Sequence, residues 1–243
     1  DIWRMVVLIV AISLMGYAAY KIFKDKAGTL LAGILGGLIS STATTVSYAR
    51  NTKNQPETSS LAALAIMLAT TVSVIRVTLT FMIVSPSATQ TVAPPLLSLF
   101  GMMVAICVAL YFKRSGETHT MPEPENPAEL MSAIVFGGLY GGIIFAVAAA
   151  KELFGEQSLY LIATISGLTD VDAITLSTGR LVESHRLEAV TGWQLVLIAI
   201  LANLAFKWGS VAALGNTLLL KKLSVIFGLA FVTGLTILFL WPR

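Results

Sequence analysis

Apolar stretches of about twenty residues recur from one end of this chain to the other, and short polar joints close each of them. A helix rises 1.5 Å per residue and the hydrocarbon core of a bilayer is about 30 Å thick, so about 20 mostly apolar residues suffice to cross it. Eight segments meet that requirement, roughly 3–23, 27–48, 59–84, 93–112, 129–150, 157–179, 190–213 and 217–241. They are too long for strands and lack the alternation of a membrane barrel. The expectation is an all-α, polytopic transmembrane bundle of about eight helices. One secretory signal does not explain apolar runs that continue along the whole chain.

Composition enters as a check on that reading. Charged residues make up 12% of the 243 residues, against about a quarter in a soluble domain. So few charges do not cover a water-exposed surface of this size, whereas lipid accepts apolar side chains on the outside of a fold. The net charge of +3 comes from basic residues at the ends of apolar segments, where they anchor helices at the headgroups. No clustered basic face is present, so nucleic acid is not an expected partner. Cys107 is the only cysteine, which excludes an intrachain disulfide and a thiolate metal cluster. The chain opens on Asp1 rather than Met, and an upstream domain is therefore expected.

One joint is long. Lys113 to Ala128 reads KRSGETHTMPEPENPA, and its prolines Pro122, Pro124 and Pro127 exclude a regular helix while its charges exclude the membrane core. The expected organisation is a first four-helix unit at 1–114, a Pro-rich linker at 115–128 and a second four-helix unit at 129–243. The basic residues of the joints lean weakly toward termini and linker on the cytoplasmic side.

The two units resemble each other. Ala18–Arg50 aligns with Ala148–Arg180 without a gap at a constant offset of 130 residues. Lys21/Lys151, Gly37/Gly167, Ala43/Ala173, Thr45/Thr175, Ser47/Ser177 and Arg50/Arg180 are identical pairs. Shared Ala and Leu arise from apolar composition alone; Gly, Thr, Ser, Lys and Arg in register do not. We expect an internal duplication. Four helices per unit is an even number, so the repeats should run parallel, related by a pseudo-two-fold axis along the membrane normal.

The second helix of each unit carries the polar residues. GGLISSTATTVSYAR contains Ser40, Ser41, Thr42, Thr44, Thr45 and Ser47, and SGLTDVDAITLSTGR contains Thr169, Asp170, Asp172, Thr175, Ser177 and Thr178. The alignment sets Asp170 against Ser40 and Asp172 against Thr42. A carboxylate at membrane depth is costly without a partner. Asp170 and Asp172 point about 200° apart on an ideal helix, so they share a ligand only where the helix is interrupted, and Ser166-Gly167 permits an interruption. The plainer alternative is that one Asp caps a half-helix while the other forms a salt bridge. Arg76 and Lys207 lie within the third helices and are the expected charge-balancing partners; Asn203, one turn before Lys207, can bond across helices.

Other features read as structure. The runs Gly33–Gly37 and Gly137–Gly142 fit close helix packing. Pro94 and Pro95 suit the start of a helix. His119 and His185 are isolated. No HExxH, CxxC or nucleophile-elbow motif occurs, and an enzyme is not expected.

The two hydroxyl-rich motifs, the Arg of the third helix, the AN…K pattern of the seventh and the opening IWRMVVLIVAISLMGYAAYK together resemble the C-terminal membrane domain of MgtC/SapB-type bacterial membrane proteins, over nearly the whole chain. The resemblance implies a multi-pass protein of the bacterial inner membrane, with an MgtC-like domain upstream, and it hints at ion physiology. It implies no catalytic residues and no cofactor.

The functional expectation is a transporter or channel for a small ion, with its site between the repeats. A cation, divalent or proton-coupled, would meet Asp170 and Asp172 as metal ligands. Ser40, Thr42, Thr45, Thr169 and Thr175 would add neutral oxygens, which hard cations favour. The alternatives are a non-transporting interaction or regulatory module, self-associating through the Gly-rich faces, and an anion carrier using Arg76 and Lys207.

Overall fold

The computed structural model describes residues 29–113 and 157–242, with Phe145 between them. The segments expected at 3–23 and 129–150, the linker, His119 and the run Gly137–Gly142 lie outside the described residues. Among the described residues there are seven α-helices and no strand: α1 (Thr29–Asn54), α2 (Ser59–Val84), α3 (Thr89–Lys113), α4 (Gln157–Thr169), α5 (Val171–Glu183), α6 (Ala189–Leu214) and α7 (Thr217–Leu240).

Proline sets the first two corners. Gln55 and Ser85 each adopt extended φ near −130° and are followed by Pro56 and Pro86, which open short 3₁₀ turns. A residue before proline is pushed out of the helical region, and a proline at a helix start sacrifices no bond. At the α6–α7 corner Asn216 caps α7 by accepting from Leu219 N at 2.7 Å. Its amide also donates to Thr52 O at 2.8 Å and Ser59 Oγ at 2.9 Å, which ties this corner to the α1–α2 corner. The sequence placed Pro94 and Pro95 at a helix start, but α3 begins at Thr89 and both prolines lie inside it. The second proline turn, Pro86–Ala88, starts the helix early.

Five helical stretches are long and apolar enough to cross a membrane: Thr29–Asn54, Pro56–Val84, Pro86–Phe112, Ala189–Leu214 and Thr217–Leu240. The protein is a multi-pass α-helical membrane protein. Burial sorts these stretches into layers. The spans of α2 and α6 are 78% and 72% buried, while those of α3 and α7 are 33% buried. The two central helices therefore form the core, with Leu64, Ile66, Met67 and Phe81 from α2 and Trp193, Leu195 and Leu197 from α6. The outer helices display Val108, Phe112, Val225, Val232 and Phe239, side chains that only lipid accommodates in such numbers.

Small residues bring the polar helices against that core. A Cβ on Gly37 would stand 2.5 Å from Ala69 O, and one on Gly33 would stand 2.8 Å from Ala65 O. Gly167 approaches Ala199 of α6 at least as closely. Dispersion rather than the hydrophobic effect drives association in lipid, so close backbone approach is what holds such helices together. Ala199 follows Ala69 by the same 130 residues that separate Gly167 from Gly37.

The segment 157–179 is two helices rather than one. It stops at Thr169 and restarts at Val171. Within α1 the helical backbone is likewise interrupted, at Ser40.

Candidate functional site: two interrupted helices

The interruptions fall at aligned positions and have the same backbone form. Ser40 has φ −163° and ψ 108°, and Asp170 has φ −153° and ψ 128°. Each restarts a helix by capping it. Ser40 Oγ accepts from Ala43 N at 3.2 Å, and Asp170 Oδ1 accepts from Asp172 N at 2.9 Å. Ser and Asp are favoured caps because their short side chains reach the orphan N–H groups of a first turn. The interruption therefore stems from Ser40 and Asp170 themselves. Gly167, the expected weak point, instead permits contact with α6.

A break also orphans carbonyls before it, and buried backbone groups require partners. Polar side chains from the central helices supply them. Arg76 NH1 donates to Leu38 O at 3.0 Å, and Asn203 Nδ2 donates to Gly167 O at 3.0 Å. Asn203 thus makes the cross-helix bond expected of it.

Charge treats the two breaks differently. Arg76 NH2 meets Asp172 Oδ2 at 2.6 Å, with both side chains almost fully buried. Lys207 is 1% exposed, and Nζ donates to Ser41 Oγ at 2.9 Å and Thr70 Oγ1 at 3.4 Å. Among the described residues no carboxylate pairs with it. The arrangement is the plainer of the two the sequence offered: Asp170 caps α5 and Asp172 pairs with Arg76, while Lys207, expected to balance charge, faces hydroxyls. Arg76 Nε is buried without a partner.

The remaining candidates divide as follows. Thr45 and Thr175 donate to the carbonyls of Ser41 and Val171 four residues earlier, at 2.8 and 2.7 Å, and keep their oxygen lone pairs. Thr42 is half-buried beside the first break. Thr169 ends α4 next to the second. A small cavity beside Lys207 is lined by Thr70, Ser73, Val171, Ile200 and Asn203, with Val74 and Val77. Thr70 and Ser73 were missed as site residues; the signal was the hydroxyl run ATTVSV just ahead of Arg76. Among the described residues no three His, Cys, Asp or Glu side chains gather in a way that could hold a metal ion. A metal at Asp170 and Asp172 would have to complete its shell from hydroxyls and carbonyls.

Outside the membrane-spanning segments, Glu183 at the end of α5 accepts from Ser87 Oγ at 2.8 Å and Ser85 Oγ at 3.2 Å. The Ser87 hydroxyl bond leads in holding its carboxyl below the usual carboxylate range. This contact pins the end of the interrupted segment to the α2–α3 corner. His185, in the following turn, has φ 57°.

Fold and site define a class: a multi-pass membrane protein whose buried core receives two capped helix breaks and the cations that face them. The chain belongs to the family described as a domain of unknown function, DUF4010, whose model matches residues 7–215. It is 28% identical over 225 residues to an uncharacterized protein of Aquifex aeolicus (strain VF5), covering 89% of this chain and 96% of that one. No solved structure matches it.

Proposed function

We propose that this protein is a transporter or channel for a small ion, with its site where two internal repeats meet. The observation that carries the reading is the pair of breaks. Ser40 and Asp170 are 130 residues apart, share one backbone form, and are both faced by a buried cation from the other half of the chain. Interrupted helices near the bilayer midplane, placed where repeats meet, are the recurring architecture of ion and substrate sites in secondary transporters. Support for the repeats comes from the offset shared by the Gly37–Ala69 and Gly167–Ala199 contacts. A helix that only filled a bundle would gain nothing from two breaks of similar backbone form that each need a capping residue and a polar bracket.

The charge of the ion divides this reading. A cation would bind at Asp172 by displacing Arg76, with Thr175, Thr45, Ser40, Thr42, Thr169 and the Asp170 carboxylate as further oxygen donors. Such an exchange couples binding to movement of α2 against α5. Flux of candidate ions into proteoliposomes tests it. Asp172→Asn and Asp170→Asn should abolish flux while the protein still purifies as a folded species; unchanged flux in both sinks the assignment of these carboxylates.

A second reading has its own observation. The Arg76–Asp172 pair and the Asp170 cap are both sufficient as structural roles, which suits a non-transporting interaction module. In that case Arg76→Asp with Asp172→Arg would recover the stability lost in each single variant, and no ion would cross. The resemblance to MgtC/SapB-type proteins adds to either reading a bacterial inner-membrane location and an upstream partner domain.

A further inference from the structure

The two arms at each break run in opposite directions. Along α2, the first arm of α1 advances with the chain: Gly33 packs on Ala65 and Gly37 on Ala69. The second arm runs back, so that Thr52 reaches the Asn216 amide that also bonds Ser59 at the start of α2. Between the arms, a Cβ on Gly36 would stand 2.5 Å from Thr44 Oγ1, whereas eight residues of straight helix put two positions about 12 Å apart. The chain therefore doubles back at Ser40. It does so again at Asp170. Tyr160 donates to Gln194 at 3.0 Å and Asn203 meets Gly167 O, so α4 runs along α6. Val182 lies against Gly192 while Val171 shares a cavity with Ile200 and Lys207, so α5 runs against α6. Each segment is a re-entrant hairpin. The arms α4 and α5, of 13 residues each, are about 20 Å long and do not cross a core of about 30 Å.

The hairpins enter from opposite faces. The central helices are antiparallel, with Ser59 beside Asn216, Thr70 beside Lys207 and Phe81 beside Gly192. Both ends of α1 lie toward the Ser59 end of α2. Both ends of the α4–α5 hairpin lie toward its Val84 end, where Glu183 meets Ser85 and Ser87. A hairpin followed by two spans occurs twice, once in each orientation. Parallel repeats were expected from four spanning helices per unit; the described halves are inverted, because the second segment of each does not span. The pseudo-two-fold axis of such a pair lies in the membrane plane. It also exchanges the contacts that pin each hairpin at its face. Thr52 advanced by the offset of 130 is Val182, next to Glu183, and Asn216 moved back by it is Pro86, between Ser85 and Ser87.

Arg76 joins the two tips. NH1 donates to Leu38 O before the first break and NH2 to Asp172 beyond the second. Irregular backbone at membrane depth persists only where protein or an aqueous cavity surrounds it, and here each tip lies under the other. A hairpin with both ends at one face can swing toward that face while α2 and α6 stay in place. Leaving requires release of Arg76 at the tip and of the pin at the face.

We propose that the protein is an alternating-access carrier rather than a channel, with its hairpins as opposed gates: α1 opens the site at Arg76 to the face that holds Ser59, and the α4–α5 hairpin opens it to the face that holds Ser85. The inference rests on the transport reading and adds the route to the site. Asn216 and Glu183 are the latches.

The test uses the full chain in vesicles, with Cys107→Ala removing its only cysteine. Spin labels at Leu31 and Lys53, or at Leu161 and Ser184, would sit roughly 33–35 Å apart along a straight helix. Distinctly shorter separations are expected at both pairs, and a straight-helix value at either overturns the hairpins and the gates with them. Thr42→Cys then reports access to the first tip by a membrane-impermeant maleimide added to one face at a time, with exposed Gln55 and Gln90, each replaced by Cys, marking the faces. Asn216→Ala should raise labelling from the Gln55 face about five-fold, and Glu183→Ala from the Gln90 face by a similar factor, the shift in an opening equilibrium when an ordinary hydrogen bond is lost. A rise from the wrong face, a rise from both faces alike, or labelling unchanged in both variants overturns the gates. Glu183→Ala carries the test even where Asn216→Ala, which also loses the α7 cap, does not fold. Uptake of sodium, magnesium or chloride tracer separates this failure from that of the transport reading. Tracer uptake with labelling that ignores both latches overturns the gates and leaves transport standing. Face-specific labelling without uptake of any tracer overturns transport, and the carrier with it, and leaves the opposed hairpins.

Discussion

The breaks at Ser40 and Asp170 are one device with two charges. Backbone angles are alike, and each break has a short capping side chain and a donor to a preceding carbonyl, although Ser40 caps the N–H three residues on and Asp170 the N–H two residues on. The cap is a hydroxyl in one and a carboxylate in the other, and the facing cation is answered by Ser41 in one and by Asp172 in the other. The comparison separates two requirements that coincide in many membrane sites. Interrupting a helix takes a short capping side chain and a donor for the stranded carbonyl, whatever its charge. The net charge at the break is then free to differ. In the second half a carboxylate meets the cation; in the first two hydroxyls do.

The sharpest way to break the comparison is to remove the counter-ion where one exists. Asp172→Ala leaves Arg76 buried and unanswered, and should lower stability by roughly 3–5 kcal/mol. Ser41→Ala removes a hydrogen bond to Lys207 and should cost about 1–3 kcal/mol. Equal losses in chemical unfolding would show that the two breaks are not electrostatically distinct.

Packing offers the next test. Gly37→Ala and Gly167→Ala each drive a methyl into the backbone of a neighbouring central helix, and each should cost about 1–3 kcal/mol. Gly101→Ala, with nothing within 4 Å of its Cβ, should be neutral or slightly favourable. If only one of the first two variants is destabilised, the proposed equivalence of the halves loses its structural support.

The caps should matter less and alike. Ser40→Ala and Asp170→Ala should each cost about 0.5–2 kcal/mol, read as a shift in unfolding midpoint. A much larger loss at Asp170 would mean that its carboxylate also serves the charge balance of Arg76 and Lys207.

The smallest effect lies at the surface. Hydrogen bonds from Ser87 and Ser85 lower the pKa of Glu183 on folding, so the folded state favours the ionised carboxyl. The stability it contributes is present above the unfolded carboxylate value of about 4.3 and is lost as pH falls through the lower folded value. Glu183→Gln should flatten that part of the acid limb in a comparison of wild type and variant from pH 5 to pH 3.

The long spans were legible because the bilayer writes them into the sequence. The segment expected at 59–84 coincides with α2, and α6 and α7 fall within a residue of expectation. These helices bury or expose apolar side chains along their whole length, so local composition contains the answer. The polar helices were legible only in part. Their hydroxyls and acids marked them as unsuited to lipid, and Ser166-Gly167 permitted an interruption near Asp170 within a segment expected as one helix. Its companion at Ser40 had no such signal, because nothing local distinguishes Ser40 from Ser41 or Thr42. At each break a capping side chain, Ser40 or Asp170, goes together with a donor from a central helix, Arg76 or Asn203, that meets a carbonyl just before it.

Lys207 shows the same limit for charge. The sequence named Arg76 and Lys207 as charge-balancing partners of the two acids, and proximity in three dimensions gives one of them a carboxylate. By itself the sequence determined that this chain lives in a membrane and that its second helices have polar business there, because transfer into lipid acts on each segment separately. Which oxygen meets which cation was decided only in the tertiary structure, because an ion pair depends on two helices meeting in register, and register is set by the close approach of Gly37 to Ala69 and of Gly167 to Ala199.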